Sequence, residues 1–237
     1  MSSSFKFKQF TIQQDRCAMK IGTDGVLLGA WVSLDKSPHS ILDIGTGTGV
    51  IALQLAQRSF SEIIDAVEID PDAFEQCVEN FEASDWGDRL FCYHASVEEL
   101  AEEVEGQYDL IVSNPPFYTD EFKSENVARD QARSADALPF ISLLKSVSML
   151  LSEEGQFSLI IPRKEEAPFI EMADAYGMYP NRICRVKGSI TSEEKRSMIE
   201  FSFKKQTSEM EELTIEISRH QYTDSYVNLV KDFYLKM

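Results

Sequence analysis

Residues 41–49 are Ile-Leu-Asp-Ile-Gly-Thr-Gly-Thr-Gly, a short apolar run followed directly by a turn with three glycines. A helical pattern from Val50 to Arg58 begins after the last glycine. A strand, a glycine turn and a helix in this order are typical of a ligand-binding loop in a parallel α/β sheet. The spacing is Gly-x-Gly-x-Gly and not Gly-x-Gly-x-x-Gly, which argues against NAD as the ligand.

The rest of the chain alternates between short apolar runs and helical stretches, which predicts an α/β fold with a parallel sheet. Predicted strands cover residues 41–44, 63–69, 90–94, 110–113, 157–161, 182–186 and 198–203. Predicted helices cover residues 50–58, 71–83, 97–104, 138–151 and 165–175. Ile199, Phe201 and Phe203 alternate along the last strand, as in an antiparallel hairpin.

No linker or repeat divides the sequence, so we expect a single domain over residues 1–237. Its core covers residues 36–205, between an N-terminal extension of residues 1–35 and a tail of residues 206–237. The tail has a strand-like start near Leu213 and a helical pattern over residues 226–235.

The composition of the chain indicates which binding partners and which cellular compartment to expect. The chain has 40 Asp and Glu against 23 Lys and Arg, a net charge of −17, so its overall charge does not attract nucleic acid. A nucleic-acid substrate would therefore need a local basic patch or a second factor. The four cysteines match no zinc spacing and the three histidines are scattered, so we expect reduced thiols and no metal. The polar N-terminus and the absence of a long apolar run predict a cytoplasmic protein without a membrane span.

The glycine turn and its surroundings supply candidate cofactor-binding residues. Gly45 and Gly47 permit a ligand to lie close to the backbone, and Asp43 can accept hydrogen bonds from an ammonium group. Glu68 ends the next strand about 20 residues later, where an acidic side chain can accept both hydroxyls of a ribose. The alternatives are a simple tight turn and a solvated strand-end carboxylate.

Residues 114–117, Asn-Pro-Pro-Phe, form the most specific motif, and they follow the buried strand pattern of residues 108–113. Asn114 can offer its amide oxygen and Pro115 its carbonyl oxygen to the two hydrogens of a planar amine. Phe117 offers a flat face on which such a group can stack. With the glycine turn upstream, the motif predicts an S-adenosyl-L-methionine-dependent methyltransferase that acts on the nitrogen of an amine or amide.

Two further places concern the cofactor. We expect its adenine ring near residues 94–96, where Ser96 or backbone atoms would contact it, although Ser96 is equally suited to capping the helix that follows. Residues 23–31 predict a helix capped by Thr23 or Asp24. Its pattern favours packing in the core, and packing beside the cofactor is the alternative role.

Basic residues cluster modestly, and several are predicted to flank the end of the sheet that carries the Asn-Pro-Pro-Phe motif. They are Lys6, Lys8, Arg16, Lys20, Arg129, Arg133, Arg163, Lys164, Arg182, Arg185, Lys187, Lys195 and Arg196. Contact with RNA and ordinary solvated charge explain these residues equally well.

The core resembles the Rossmann-like class I methyltransferases, with a seven-stranded sheet and helices on both faces. Five short stretches carry a further likeness: residues 7–10, 15–20, 22–25, 28–31 and the closing residues 232–236. They resemble the bacterial tRNA1(Val) (adenine-37-N6)-methyltransferase family. The resemblance implies methylation of N6 of adenine 37 in the anticodon loop of this tRNA. It also implies cofactor contacts for Asp43, Gly45, Gly47 and Glu68, with Thr23 and Asp24 near the methionine end.

Other functions remain compatible with the sequence. Guanine-N2 methylation of ribosomal RNA and glutamine-N5 methylation of a protein use the same core motif, although the protein-modifying enzymes usually carry Tyr where this chain has Phe117. A protein that binds the cofactor or RNA without turnover is the alternative of a different class.

Overall fold

The computed structural model describes residues 4–116 and 139–237. Its strands are β1 (Ser4–Lys6), β2 (Thr11–Gln13), β3 (Ser40–Ile44), β4 (Ile63–Glu68), β5 (Leu90–His94), β6 (Tyr108–Ser113), β7 (Leu151–Pro162), β8 (Tyr179–Ser189), β9 (Glu194–Ser202), β10 (Glu209–Ser218) and β11 (Gln221–Tyr222). Its helices are α1 (Thr23–Trp31), α2 (Val50–Arg58), α3 (Pro71–Glu82), α4 (Val97–Glu103), α5 (Phe140–Leu150), α6 (Glu166–Asp174) and α7 (Asp224–Val230). A 3-10 turn, Arg163–Glu165, joins β7 to α6.

One large sheet organises these elements, with the strand order β11-β10-β8-β9-β7-β6-β3-β4-β5. The strands from β7 to β5 in this order run parallel, whereas β9 is antiparallel to both β7 and β8. The predicted seven strands are all present as β3 to β9, but the sheet has nine. Strand β10 pairs in parallel with β8 and carries β11 with it. Its start was missed because Glu209, Glu211 and Glu212 hide the apolar alternation of this outer strand.

Helices cover both faces of the sheet, as predicted. Helices α1, α2, α3 and α7 contribute to one buried apolar cluster, and α4, α5 and α6 contribute to the other. Neighbouring residues of the central strands point into opposite clusters: Leu110 and Val112 lie in the first, and Ile111 lies in the second. Residues Ile199 and Phe201 of β9 are buried in the second cluster with Phe203 packed against it, which confirms the predicted alternation.

Several element boundaries differ from the predicted ones. Strand β7 begins at Leu151, directly after α5, and not after Gly155. Tyr108 pairs with Leu151 and Leu110 with Gln156, so β7 contains extra residues that bulge out of the ladder. The tail helix is shorter than predicted and ends at Val230.

The N-terminal extension forms a hairpin, β1–β2, and then lies across α3. The buried amide of Asn80 on α3 accepts a hydrogen bond from the backbone N–H of Gln13 at 2.8 Å and donates to the Gln13 carbonyl at 3.0 Å. The same amide donates to the carbonyl of Thr48 at 2.9 Å. A single side chain thus fastens the extension to the glycine loop.

Two features require a glycine at position 49, directly before α2: the backbone conformation and the close packing around the residue. Its φ is 81°, a left-handed value, and a Cβ atom there would lie 2.6 Å from Phe81 Cε1 and 3.1 Å from Cys77 Sγ. We expect Gly49→Ala to lower the free energy of unfolding by about 2–4 kcal/mol, because left-handed strain adds to overpacking.

Gly177→Ala is the matched control for this prediction. Gly177 has a φ of 72°, but a Cβ atom there would meet no atom within 4 Å. Only the backbone cost of about 1–2 kcal/mol is expected. Urea unfolding of both variants measures the difference, and equal losses would show that the contact with Phe81 is unimportant.

Candidate active site

The carboxyl ends of β3, β4 and β6 lie side by side, where the chain turns to opposite halves of the sheet. Such a switch point is the usual ligand site of an open α/β sheet. Ile44 and Ser113 are paired in register, and the Ser113 hydroxyl donates to the Ile44 carbonyl at 3.0 Å. The structure therefore brings the glycine loop, Glu68 and Asn114 to one edge.

The glycine loop forms an open cradle. Gly45 and Gly47 have φ values of 68° and 57°, and a Cβ atom at either position would point into open space, with no atom within 4 Å. The backbone N–H groups of Gly45 and Thr46 donate to the carbonyl of Val67, which fixes the loop on the end of β4. A side chain at either glycine would occupy the space that a cofactor needs, so the loop fits a ligand lying against its backbone.

Glu68 is held in place by the loop that it faces. Its Oε2 accepts a hydrogen bond from the backbone N–H of Gly47 at 2.8 Å, and its Oε1 accepts one from the backbone N–H of Asp70 at 2.9 Å. The side chain is largely buried. Each carboxylate oxygen has further lone pairs, so this fixed carboxylate can still accept hydroxyl groups.

Asp43 is fully buried, and one of its oxygens has no partner among the described residues. Its Oδ2 accepts hydrogen bonds from the Thr46 hydroxyl at 2.7 Å and the Ala52 N–H at 3.2 Å, whereas its Oδ1 is buried without a hydrogen bond. Burial raises the pKa of Asp43 to about 7, the two hydrogen bonds oppose the rise, and the charge of Glu68 adds to it. A cation bound beside Oδ1 would satisfy the orphan oxygen and favour the ionised form.

Helix α1 begins next to the Asn-Pro-Pro segment. A Cβ atom on Gly25 would lie 3.2 Å from Val50 Cγ1 of α2 and 3.9 Å from the Asn114 amide nitrogen. Pro115 is buried and Asn114 is half-buried. Within the described part of the chain, no hydrogen bond engages the Asn114 amide, so its oxygen is available as an acceptor.

The predicted cap of α1 was wrong. The capping position is Gly22, without a side-chain hydrogen bond, because the backbone turns into the helix one residue before Thr23. Thr23 is exposed, and Asp24 forms an ion pair with Arg196 of β9 at 2.8 Å. This pair joins the first turn of α1 to the carboxyl edge of the sheet, and direct contact of Thr23 or Asp24 with a cofactor stays a prediction.

Ser96 caps α4. Its hydroxyl accepts a hydrogen bond from the Glu99 N–H, and the Glu99 carboxylate accepts one from the Ser96 N–H. Asp70 caps α3, since its carboxylate accepts a hydrogen bond from the Ala73 N–H at 2.8 Å. The Ser96 side chain is therefore committed to the helix, and its contact with adenine stays a prediction.

Two parts of the site were not predicted. Ile69, directly after Glu68, exposes an apolar side chain at this edge that can lie against a flat ring. Burial raises the pKa of the Cys17 thiol in the N-terminal extension to about 11, and the charges of Glu68 and Asp70 add to this rise. No sequence pattern indicates either residue as part of the site, because its position there depends on how the chain folds.

Phe117, Arg129 and Arg133 lie outside the described residues. The proposed stacking surface of Phe117 therefore stays a prediction from the sequence.

Comparisons with known proteins identify the family. The methyltransferase small domain family matches residues 25–181. A tRNA1(Val) (adenine(37)-N6)-methyltransferase of Christiangramia forsetii is 61% identical over 98% of both chains. The chain belongs to this family. The enzyme of the same name from Flavobacterium johnsoniae is 57% identical over 98% of this chain and 100% of its own.

The fold of this family member also matches solved structures. A crystal structure from Agrobacterium tumefaciens, described as a predicted O-methyltransferase, aligns with a TM-score of 0.66 over 89% of this chain and 96% of its own. The sequences are 17% identical, so this likeness concerns the class I fold alone. The cofactor of this methyltransferase is S-adenosyl-L-methionine.

Neither a metal site nor a membrane-spanning helix is found in the described ranges, 4–116 and 139–237. No group of three or more His, Cys, Asp or Glu side chains there is arranged to hold a metal ion. No helix in those ranges has the length and apolar character needed to cross a membrane. All four cysteines of this methyltransferase are free thiols, as expected.

The buried Asp43 makes a prediction about pH. Below about pH 4, the carboxyl group is protonated in folded and unfolded chains alike. As the pH rises to about 7, the unfolded chain releases this proton and the folded chain retains it. The free energy of unfolding therefore falls by up to roughly 4 kcal/mol. We expect Asp43→Asn to remove this loss, so the variant gains stability relative to the parent over this pH range.

Urea unfolding of parent and variant from about pH 4 to pH 8 measures the effect. The pH dependence of the difference is the readout, because a constant offset reports only altered hydrogen bonds. A difference that does not change with pH would contradict the assignment of a buried, proton-binding Asp43.

Proposed function

We propose that this protein transfers the methyl group of S-adenosyl-L-methionine to N6 of adenine 37 in tRNA1(Val). Two relatives named tRNA1(Val) (adenine(37)-N6)-methyltransferase are 61% and 57% identical to this chain over nearly its full length. The single structural observation that carries the proposal is the half-buried Asn114 with an uncommitted amide, beside an open glycine cradle. Because tRNA is the proposed substrate, a cytoplasmic location is part of the same proposal.

The cofactor would be held by the residues around the cradle. Gly45 and Gly47 leave room for its methionine part, and the unpartnered Oδ1 of Asp43 is suited to its ammonium group. Glu68 is fixed by two backbone N–H groups and is suited to its ribose hydroxyls. The bound cofactor supplies an electrophilic methyl group on a sulfonium. The start of α1, at Thr23 and Asp24, is proposed to line the methionine end.

Asn114 and Pro115 would orient the target amine. The lone pair of an aromatic amine is delocalised into its ring, so the nitrogen is a poor nucleophile. The Asn114 amide oxygen and the Pro115 carbonyl can each accept one amine hydrogen, which orients the nitrogen lone pair toward the methyl group. A strong general base is not required, because the amine needs to lose its proton only as the new bond forms. Phe117 is proposed to stack on an adenine turned out of the anticodon loop.

Asn114→Ala tests the catalytic part of the proposal. We expect kcat to fall about 100-fold or more, because an acceptor that orients the reacting nitrogen is lost. The dissociation constant of S-adenosyl-L-methionine should change little. Asn228→Ala, on the exposed side of α7, is the matched control and should retain full turnover. Equal losses of turnover and cofactor affinity would count against this role of Asn114.

Glu68→Gln tests the cofactor part. Removing the charge of a hydrogen-bonded carboxylate is expected to weaken S-adenosyl-L-methionine binding by about 10–100-fold, corresponding to about 1.5–3 kcal/mol. Glu102→Gln, an exposed position on α4, removes the same charge away from the cradle and should leave binding unchanged. Isothermal titration of both variants decides the point, and unchanged affinity in Glu68→Gln would remove Glu68 from the site.

Transfer of labelled methyl groups into tRNA that lacks the modification tests the reaction itself. N6-methyladenosine at position 37 of one valine tRNA is the expected product. Incorporation into ribosomal RNA or a protein instead, with S-adenosyl-L-methionine still bound, would retain the methyltransferase and overturn the substrate.

A further inference from the structure

Among the residues that the structure describes, the charges at the carboxyl edge of the sheet differ between its two halves. The half that carries the cofactor cradle, at the ends of β4 and β5, is acidic. Its charged residues there are Glu68, Asp70, Asp72, Glu98 and Glu99. The half formed by the ends of β7, β8 and β10 and the start of β9 carries cations together with the carboxylates of Glu165, Glu166, Glu193, Glu194 and Glu216. The cations are Arg163, Lys164, Lys187, Lys195, Arg196 and Arg219.

Half of these cations are committed to acidic partners. Arg163 pairs with Glu194 at 2.9 Å, and Lys187 pairs with Glu212 at 2.8 Å. Arg196 pairs with Asp24 of α1 at 2.8 Å.

The remaining three cations are available to a ligand. Lys164, Lys195 and Arg219 are all exposed. They have no ion pair with any residue that the structure describes. An exposed cation without a partner keeps its whole charge for a solvent-borne anion.

The three free cations follow the edge in a row that starts near the target site. Lys164 follows β7, which lies next to β6 and Asn114. Lys195 lies on the next strand, β9, and Arg219 follows β10, four strands from β6. Since neighbouring strands lie about 4.8 Å apart, the row extends about 19 Å from the Asn114 strand.

Hydrogen bonds join the elements that form the edge beneath this row. The buried carboxylate of Glu166, at the start of α6, accepts hydrogen bonds from Arg185 of β8 at 2.8 Å and from the Ser197 hydroxyl of β9 at 2.5 Å. The Ile190 N–H donates to the Glu216 carbonyl at 3.2 Å, which joins the β8–β9 turn to the end of β10. A fixed surface loses little entropy when a partner binds.

We propose that Lys164, Lys195 and Arg219 form the docking track for the phosphate backbone of the substrate tRNA. The inference rests on the proposed function. From Lys164 to Arg219 the row covers three strand spacings, about 14 Å, which is long enough to meet more than one phosphate of an RNA strand. The acidic cofactor half repels the same backbone, so the RNA approaches Asn114 from the β7–β10 side and leaves the cradle clear. Local charge on this track lets a chain of net charge −17 bind an anionic substrate.

Charge reversal tests the track with a matched control. Lys164→Glu combined with Lys195→Glu removes two track cations. Lys145→Glu combined with Lys204→Glu alters the net charge equally at two exposed lysines away from this edge, one on α5 and one beyond the opposite end of β9. For both double variants and the parent, the KM for tRNA, the kcat, the cofactor affinity and the salt dependence of tRNA binding are measured.

We expect the track variant to raise the KM for tRNA about tenfold or more, with kcat and cofactor affinity nearly unchanged. The slope of log affinity against log salt should fall by about 0.7 for each phosphate that the variant no longer neutralises. Arg219→Glu alone should weaken tRNA binding in the same direction. The control variant should lose much less affinity than the track variant.

Two results would overturn the inference in distinguishable ways. If the parent methylates tRNA and both double variants lose affinity equally, the track is wrong and the proposed function stands. If the parent binds S-adenosyl-L-methionine and methylates no tRNA, the proposed function fails and the track fails with it.

Discussion

The hydrogen bond between the Gly47 N–H and the Glu68 carboxylate joins the two parts of the chain on which the cofactor site depends. It links the loop after β3 to the end of β4, the two adjacent strands at the centre of the site. Glycine is required in the loop because a larger residue would strain the positive φ and fill the cradle. The acid is fixed before any ligand arrives, so binding costs little further ordering of the site.

Burial of polar groups sets the chemistry of this edge. Asp43 lies beneath the loop with an unpartnered oxygen and a pKa of about 7, an unfavourable arrangement for folding alone. A cation bound at that oxygen would offset the cost. The arrangement therefore lowers the stability of the unliganded protein and favours binding of a cation, which is common where sites are built from buried charge.

The ends of the chain complete the site. The extension is fastened through Asn80 to the glycine loop, and it brings Cys17 within reach of the charge of Glu68. The tail adds β10 and β11 to the sheet, and this addition extends the carboxyl edge beyond the methyltransferase core. The surface available to a large substrate is therefore wider than seven strands would provide, and its free cations lie on the side that the tail extends.

Local patterns were sufficient for most of the architecture. The strand–glycine–helix unit of residues 41–58, the caps at Asp70 and Ser96 and the alternation in β9 are short-range features, so they can be read from neighbouring residues. The pairing of β10 with β8, the proximity of Cys17 to Glu68 and the ion pair of Asp24 with Arg196 join residues far apart in the chain. Only the tertiary structure decides these, because each depends on which surfaces meet when the sheet closes its two apolar cores. The sequence by itself determined the cofactor loop and the chemistry of its residues, and tertiary packing decided which cations remain free to meet a substrate.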